Sequence, residues 1–187
     1  MTIAAGNTSS DTPGHIRERA RGIRLAAFDV DGTLTDGRLW FDDKGIESKA
    51  YHVQDGLGLR LLVDSGITVA LITARESASV RARGKDLRLE HVFTAVSDKL
   101  DCLRGLCAQL GLSLSQVAYM GDDLADASVF PEVGLAVSPA NGHDWIRDRV
   151  HWITRLRGGE GAARELCDLL LVENGLRASA IARFGVQ

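Results

Sequence analysis

Cysteine is scarce in this sequence: three in 187 residues, Cys102, Cys107 and Cys167. The number is odd and no two form a Cys-x-x-Cys pair, which excludes a disulfide framework and offers no zinc site. The three read as buried, reduced thiols of a cytosolic protein. Basic charge is not in excess either. With 22 Lys and Arg against 25 Asp and Glu, the net charge is −3, so the basic face that a nucleic-acid ligand requires is missing and no such partner is expected. No apolar run approaches the roughly 18 residues of a membrane span, so no membrane partner is expected. The N-terminal stretch MTIAAGNTSSDTPGH lacks the basic-then-apolar order of a signal peptide. Residues 1–20 read as a disordered tail, and a cytoplasmic location is expected. His15, His91, His143 and His151 show no metal-ligand spacing.

What is present is an alternation of short apolar runs with longer amphipathic segments from Ile23 onward, the pattern of βαβ units about a parallel sheet. With 45% hydrophobic and 25% charged residues, the chain can bury one core. A single α/β domain, doubly wound, is predicted over residues 21–175, with a C-terminal tail at 176–187. Strands are predicted at GIRLAAFDV, GITVALIT, HVFTAV, QVAYM and VGLAV, and helices at 56–63, 76–87, 98–110, 123–130 and 161–173. Residues 37–54 break the rhythm: RLWF and IESKAYHV flank the turn composition DDKG, which predicts a projecting β-hairpin. Trp40 and Phe41 have no place in a parallel core, so they pack on the domain's flank or face another subunit.

In open α/β sheets ligands collect at the carboxyl ends of the strands, and that is where the polar residues fall. Asp29 and Asp31 end the first predicted strand, Thr73 and Arg75 follow the second, Asp98 and Lys99 the third, and Asp122, Asp123 and Asp126 the fourth. Crowded carboxylates repel one another unless a cation neutralises them. An oxygen-only ligand set suits Mg2+, which takes one or two carboxylates together with a substrate phosphate. A hydroxyl at Thr73 and an ammonium at Lys99 can hold phosphoryl oxygens. Two acids at i and i+2 can divide a phosphoryl transfer: Asp29 attacks phosphorus, while Asp31 protonates the leaving alkoxide and then deprotonates the incoming water. Gly32 lets the chain turn away directly after them.

The segments DVDGTLTDG, LITAR, SDK and YMGDDLAD, in that order from residue 23 to about 175, resemble the four motifs of the haloacid dehalogenase superfamily of aspartate-nucleophile phosphatases. The resemblance implies Asp29 as nucleophile and Mg2+ ligand. It makes Asp31 the acid/base, and a metal ligand through its carbonyl, with Asp122 as the third ligand and Thr73 and Lys99 as phosphate binders. Asp123 is an outer-shell partner or a helix N-cap, and Asp126 supports the metal shell or the loop. Only 44 residues separate Asp29 from Thr73 and 26 separate Thr73 from Lys99, which leaves no room for a cap domain, so a neighbouring subunit is expected to close the site. ESKAYHVQDGLGLR, ITARES and RLRGGEGAARELCDLLL further resemble the capless 3-deoxy-D-manno-octulosonate 8-phosphate phosphatases of lipopolysaccharide synthesis. That resemblance implies a homotetramer with hairpins packed at its centre, and a glycine-rich C-terminal stretch close to an adjoining site. It also implies a phosphorylated sugar acid held by His52, Val53, Gln54, Asp55, Gly56, Arg60, Arg75 and Arg83. The chain departs from the pattern at Ala74 and at Thr94-Ala95, where glycine is expected, and at the His-led HVQDG. A nine-carbon keto acid phosphatase of the same fold and a phosphoaspartate receiver domain are the alternatives. Arg75 disfavours the first and Asp31 the second.

Overall fold

The central strand β1 (Leu25–Phe28) is buried along its whole length. Its alternate side chains serve two cores: Ala26 and Phe28 face one, Leu25 and Ala27 the other. That requires cover on both faces. A computed structural model describes residues 12–185. In it β1 sits between β4 (Thr68–Ile72) and β6 (Val117–Met120), with β5 (His91–Phe93) outside β4, and β7 (Leu135–Ser138) and β8 (Trp152–Ile153) outside β6. Every pairing in this six-stranded sheet is parallel. Helices α1 (Gly14–Ala20), α2 (Val53–Asp64) and α5 (Ala162–Glu173) contribute Ile16, Leu59, Leu62, Leu166 and Leu170 to the first core, while α4 (Lys99–Leu110) contributes Leu103 and Leu106 to the second. Helix α3 (Ala78–Asp86) adds Val80 to the first. This is the doubly wound α/β arrangement, without a cap domain. Among the described residues, no helix is long and apolar enough to cross a membrane.

Several boundaries differ from the sequence reading. Residues 14–20 are a helix rather than tail: Ile16 and Ala20 are buried, and Arg17 and Arg21 pair with Glu173 of α5 at 2.5 and 3.1 Å. Residues 1–11 lie outside the described residues. Part of the C-terminal tail is likewise helical, α6 (Arg177–Ala182), anchored by buried Ala180. No helix forms over 123–130. The chain makes one 3-10 turn, Leu124–Asp126, because the Asp126 carboxylate accepts the N–H groups of Asp122 and Asp123 and so supplies the backbone with a local alternative. The edge strand β8 was not expected; two residues carry no readable period. The hairpin exists, pairing β2 (Trp40–Phe41) with β3 (Glu47–Ser48), but it is shorter than 37–54. Extended His52 ends the approach, and Val53 and Gln54 already belong to α2, where Asp55 sits in the positive first turn. Trp40, Phe41 and Ile46 are 61%, 56% and 61% exposed.

Candidate active site

The end of β1 runs directly into a tight turn. The Asp29 N–H continues the ladder to Met120, and the Val30 carbonyl then accepts from Thr33, Leu34 and Thr35 at 2.9–3.2 Å. Gly32 has φ +90°, and a Cβ there would lie 2.0 Å from the Asp122 Oδ2 atom, so both its conformation and its neighbour require glycine. Two more segments fix the turn from behind. Asn141 Nδ2 donates to the Gly32 carbonyl at 2.9 Å while its Oδ1 accepts from Gly158 N at 2.6 Å, and Gly159 N donates to Thr33 at 3.2 Å. A Cβ on Gly158 would stand 1.8 Å from the Gly32 carbonyl oxygen. The glycine-rich C-terminal stretch therefore packs against the active-site turn of its own chain. Only residues without side chains can approach the turn this closely.

Four acids and one lysine converge on this turn. Lys99, at the start of α4 and 4% exposed, donates to Asp29 Oδ1 at 2.6 Å and to Asp126 Oδ1 at 2.7 Å. Asp126 also accepts the Tyr119 hydroxyl at 2.6 Å. With two backbone donors on its other oxygen, it is fully committed to holding the site together. Asp123 accepts from Leu124 N at 2.7 Å, which makes it the N-cap of the 3-10 turn. Asp29, Asp122 and Asp126 each place a carboxylate oxygen within 4.8 Å of the others. Burial, reinforced by Asp126, raises Asp29 well above the usual carboxylate range and pushes Asp122 up to about 6. Burial alone would lower the Lys99 ammonium, but Asp29 and Asp126 outweigh it and raise its pKa. Asp126 is occupied, so Asp29 and Asp122 are the carboxylates left to hold a divalent cation. Their crowding in a buried, oxygen-only setting fits Mg2+.

Thr73 is buried at the end of β4, with its hydroxyl accepting from Arg75 N at 3.2 Å. The neighbouring loop bonds back to it: Val96 N to the Thr73 carbonyl at 3.0 Å and Ala95 N to the Arg75 carbonyl at 3.1 Å. Ala95 has φ +56°, so the glycine expected here is a conformational requirement, which alanine meets at a cost of about 1–2 kcal/mol.

Asp31 has partners that the sequence reading missed. Lys49, just after β3, contacts its Oδ1, and Arg75 Nε stands 3.9 Å from its Oδ2. Glu47 joins the two cations, 3.1 Å from Lys49 and 2.9 Å from Arg75, and also accepts from Ser77 at 2.7 Å. Its charged neighbours on a short hairpin give no signal in sequence, because such residues are ordinarily solvated.

The model of the haloacid dehalogenase-like hydrolases matches residues 91–166. The 3-deoxy-D-manno-octulosonate 8-phosphate phosphatase of Yersinia pestis is 43% identical over 155 residues, 83% of each chain. That of Escherichia coli strain B is 41% identical over 175 residues, covering 94% of this chain and 91% of the relative. The chain belongs to this phosphatase family. A Xanthomonas campestris structure superposes with a TM-score of 0.93 at 53% identity, covering 100% of both chains. The phosphatase of Moraxella catarrhalis, solved with magnesium, phosphate and 3-deoxy-D-manno-octulosonate, superposes at 0.89 with 43% identity, over 92% of this chain and 99% of that one.

The outer residues that the phosphatase resemblance implied divide into two groups. Val53 and Gln54 are exposed at the start of α2. His52, Asp55, Gly56 and Arg83 line a small cleft with Leu34 of the active-site loop. Gly56 leaves room for the Arg83 guanidinium, which a Cβ would meet at 2.2 Å, and that guanidinium lies 5.5 Å over the Tyr51 ring. Asp55 has a structural task as well, accepting Arg164 N at 2.8 Å and so capping α5. Arg60 is not brought to the site: it donates to the Leu87 carbonyl at 2.9 Å and to Asp64 at 2.7 Å, locking α2 to the end of α3.

Proposed function

We propose that this chain is a Mg2+-dependent phosphatase that hydrolyses 3-deoxy-D-manno-octulosonate 8-phosphate to the free sugar acid and inorganic phosphate, a step toward lipopolysaccharide. The observation that carries the reading is Lys99 bridging buried Asp29 and Asp126 beside Asp122 at the strand ends. Asp29 is the nucleophile: its carboxylate oxygen bonds to phosphorus as the bond from phosphorus to the C8 oxygen breaks, and Asp31 gives its proton to that oxygen. Water then attacks the phosphorus of the aspartyl phosphate, its proton returns to Asp31, and phosphate leaves with the Asp29 carboxylate restored. Lys99 and the Thr73 hydroxyl bind phosphoryl oxygens. Asp29, Asp122 and the Asp31 carbonyl would hold Mg2+, which would supply neutralisation of charge on the transferring phosphoryl group. Arg75, with His52, Val53, Gln54, Gly56 and Arg83, recognises the sugar acid.

The same reading includes a cytoplasmic homotetramer in which the Trp40 and Phe41 hairpins meet and neighbouring subunits close an open site. Three free cysteines agree with a reducing compartment. A panel of phosphorylated sugar acids, assayed with and without Mg2+, tests the proposal. The eight-carbon 8-phosphate should be the best substrate, with turnover lost in EDTA and in Asp29→Asn. Preference for a nine-carbon 9-phosphate would move the assignment to the sister enzyme, and a stable phosphoprotein without turnover would favour a receiver.

A further inference from the structure

Lys49 stands out on the hairpin. Trp40, Phe41 and Ile46 are more than half exposed, yet the Lys49 side chain has 0% exposure and its ammonium reaches Asp31 Oδ1. A lysine carries three donors and no acceptor, and here two of them are directed at carboxylates, Asp31 and Glu47. Glu47 is itself pinned by Ser77 at 2.7 Å and Arg75 at 2.9 Å, so the ammonium cannot follow Asp31 if that side chain rotates. The second oxygen of Asp31, Oδ2, is buried and accepts no hydrogen bond; Arg75 Nε stands 3.9 Å from it, beyond hydrogen-bond reach. A buried carboxyl oxygen without a hydrogen bond is costly unless something uses it.

We infer that Lys49 is a positioning residue for the proton transfer, holding Oδ1 so that Oδ2 faces the scissile ester. The inference rests on the phosphatase reading above. In the first step the proton sits on Oδ2 and Oδ1 accepts from Lys49. As the bond from phosphorus to the ester oxygen breaks, the proton passes from Oδ2 to that oxygen, and the electron pair left on Asp31 is shared with the Oδ1 that faces the ammonium. Without Lys49 the carboxyl group keeps only the distant Arg75 beside it, 3.9 Å away, and proton delivery loses its alignment while the attack of Asp29 on phosphorus does not.

Leaving-group dependence separates this role from a structural one. An alkoxide needs a proton in order to depart, whereas the nitrophenolate of p-nitrophenyl phosphate does not. In Lys49→Met, kcat/KM for the sugar-acid 8-phosphate should fall at least about tenfold further than kcat/KM for p-nitrophenyl phosphate, a fraction of the roughly 100- to 10,000-fold carried by general acid catalysis. Lys49→Arg should recover most of the difference. Equal losses on both esters, or no loss on either, would overturn the inference. Should Lys49→Met fail to fold, Glu47→Gln, which loosens the ammonium without removing it, is expected to give a smaller loss of the same selectivity, and an unselective loss there would overturn the inference equally. If the unaltered protein cleaves neither ester, the phosphatase reading has failed rather than the role of Lys49.

Discussion

The side-chain amide of Asn141 donates to the carbonyl of Gly32 at 2.9 Å, tying the loop after β7 to the turn that presents Asp29 and Asp31. The same amide accepts from Gly158 N at 2.6 Å, so one side chain clamps two backbone segments that have no side chains of their own. Asn141→Ala leaves the buried Gly158 N–H without a partner, at a cost of about 1–3 kcal/mol, or a fall in Tm of about 2–12 °C for a chain of this size. Thermal unfolding followed by circular dichroism measures it. A turn freed in this way should also lower kcat, and an unchanged Tm and kcat together would contradict the clamp.

Asp126 should matter more for stability than its place at the margin of the motif suggests. Lys99, Tyr119 and two backbone N–H groups all donate to it. Asp126→Ala leaves a buried ammonium half-paired and a buried phenol unpaired, a loss of about 3–5 kcal/mol. Asp126→Asn, which keeps an acceptor, should lose less. Urea denaturation should rank the two in that order, and an Asp126→Ala protein as stable as its parent would refute the account.

The placement of the candidate site was legible because an α/β sheet collects polar residues at its strand ends: Asp29, Asp31, Thr73, Lys99 and Asp122 fall at the carboxyl edges of β1, β4 and β6 or at the start of α4. Its supports were not. Asn141 acts through one amide, which leaves no period or motif, and the glycine-rich stretch that includes Gly158 does not name in sequence the turn it packs on. Lys49 and Glu47 look like ordinary hairpin charges until the fold brings them to Asp31. Nor does the sequence show that within this chain the Arg60 guanidinium is taken up by the Leu87 carbonyl and Asp64. The 3-10 turn at Leu124–Asp126 defeats a helical reading because a buried carboxylate competes for the same backbone donors.

The hairpin makes a separate claim about assembly. Trp40, Phe41 and Ile46 expose large apolar side chains on a two-residue ladder that has no core of its own, a surface that favours self-association. Replacing Trp40 and Phe41 with serine should shift the sedimentation coefficient from that of the proposed tetramer toward smaller species, while the fold, which does not use these residues, stays intact. A variant that sediments like the parent would contradict the interface.

His151 sets an acid limit on the sheet's outer edge. Its Nδ1 accepts the Ala136 N–H at 2.9 Å beside β8, which a protonated ring nitrogen cannot do. Burial first, then the charges of Arg19 and His15, lower its pKa below the ordinary 6.5. The folded state therefore binds this proton less readily than the unfolded chain. The stabilisation is complete above pH 6.5 and is lost progressively as pH falls through that value toward the lower folded pKa. His151→Asn retains an acceptor without a titrating ring. Between neutral pH and roughly one and a half units lower, urea midpoints should drop further for the parent than for the variant. Parallel drops would mean that this histidine does not govern the edge.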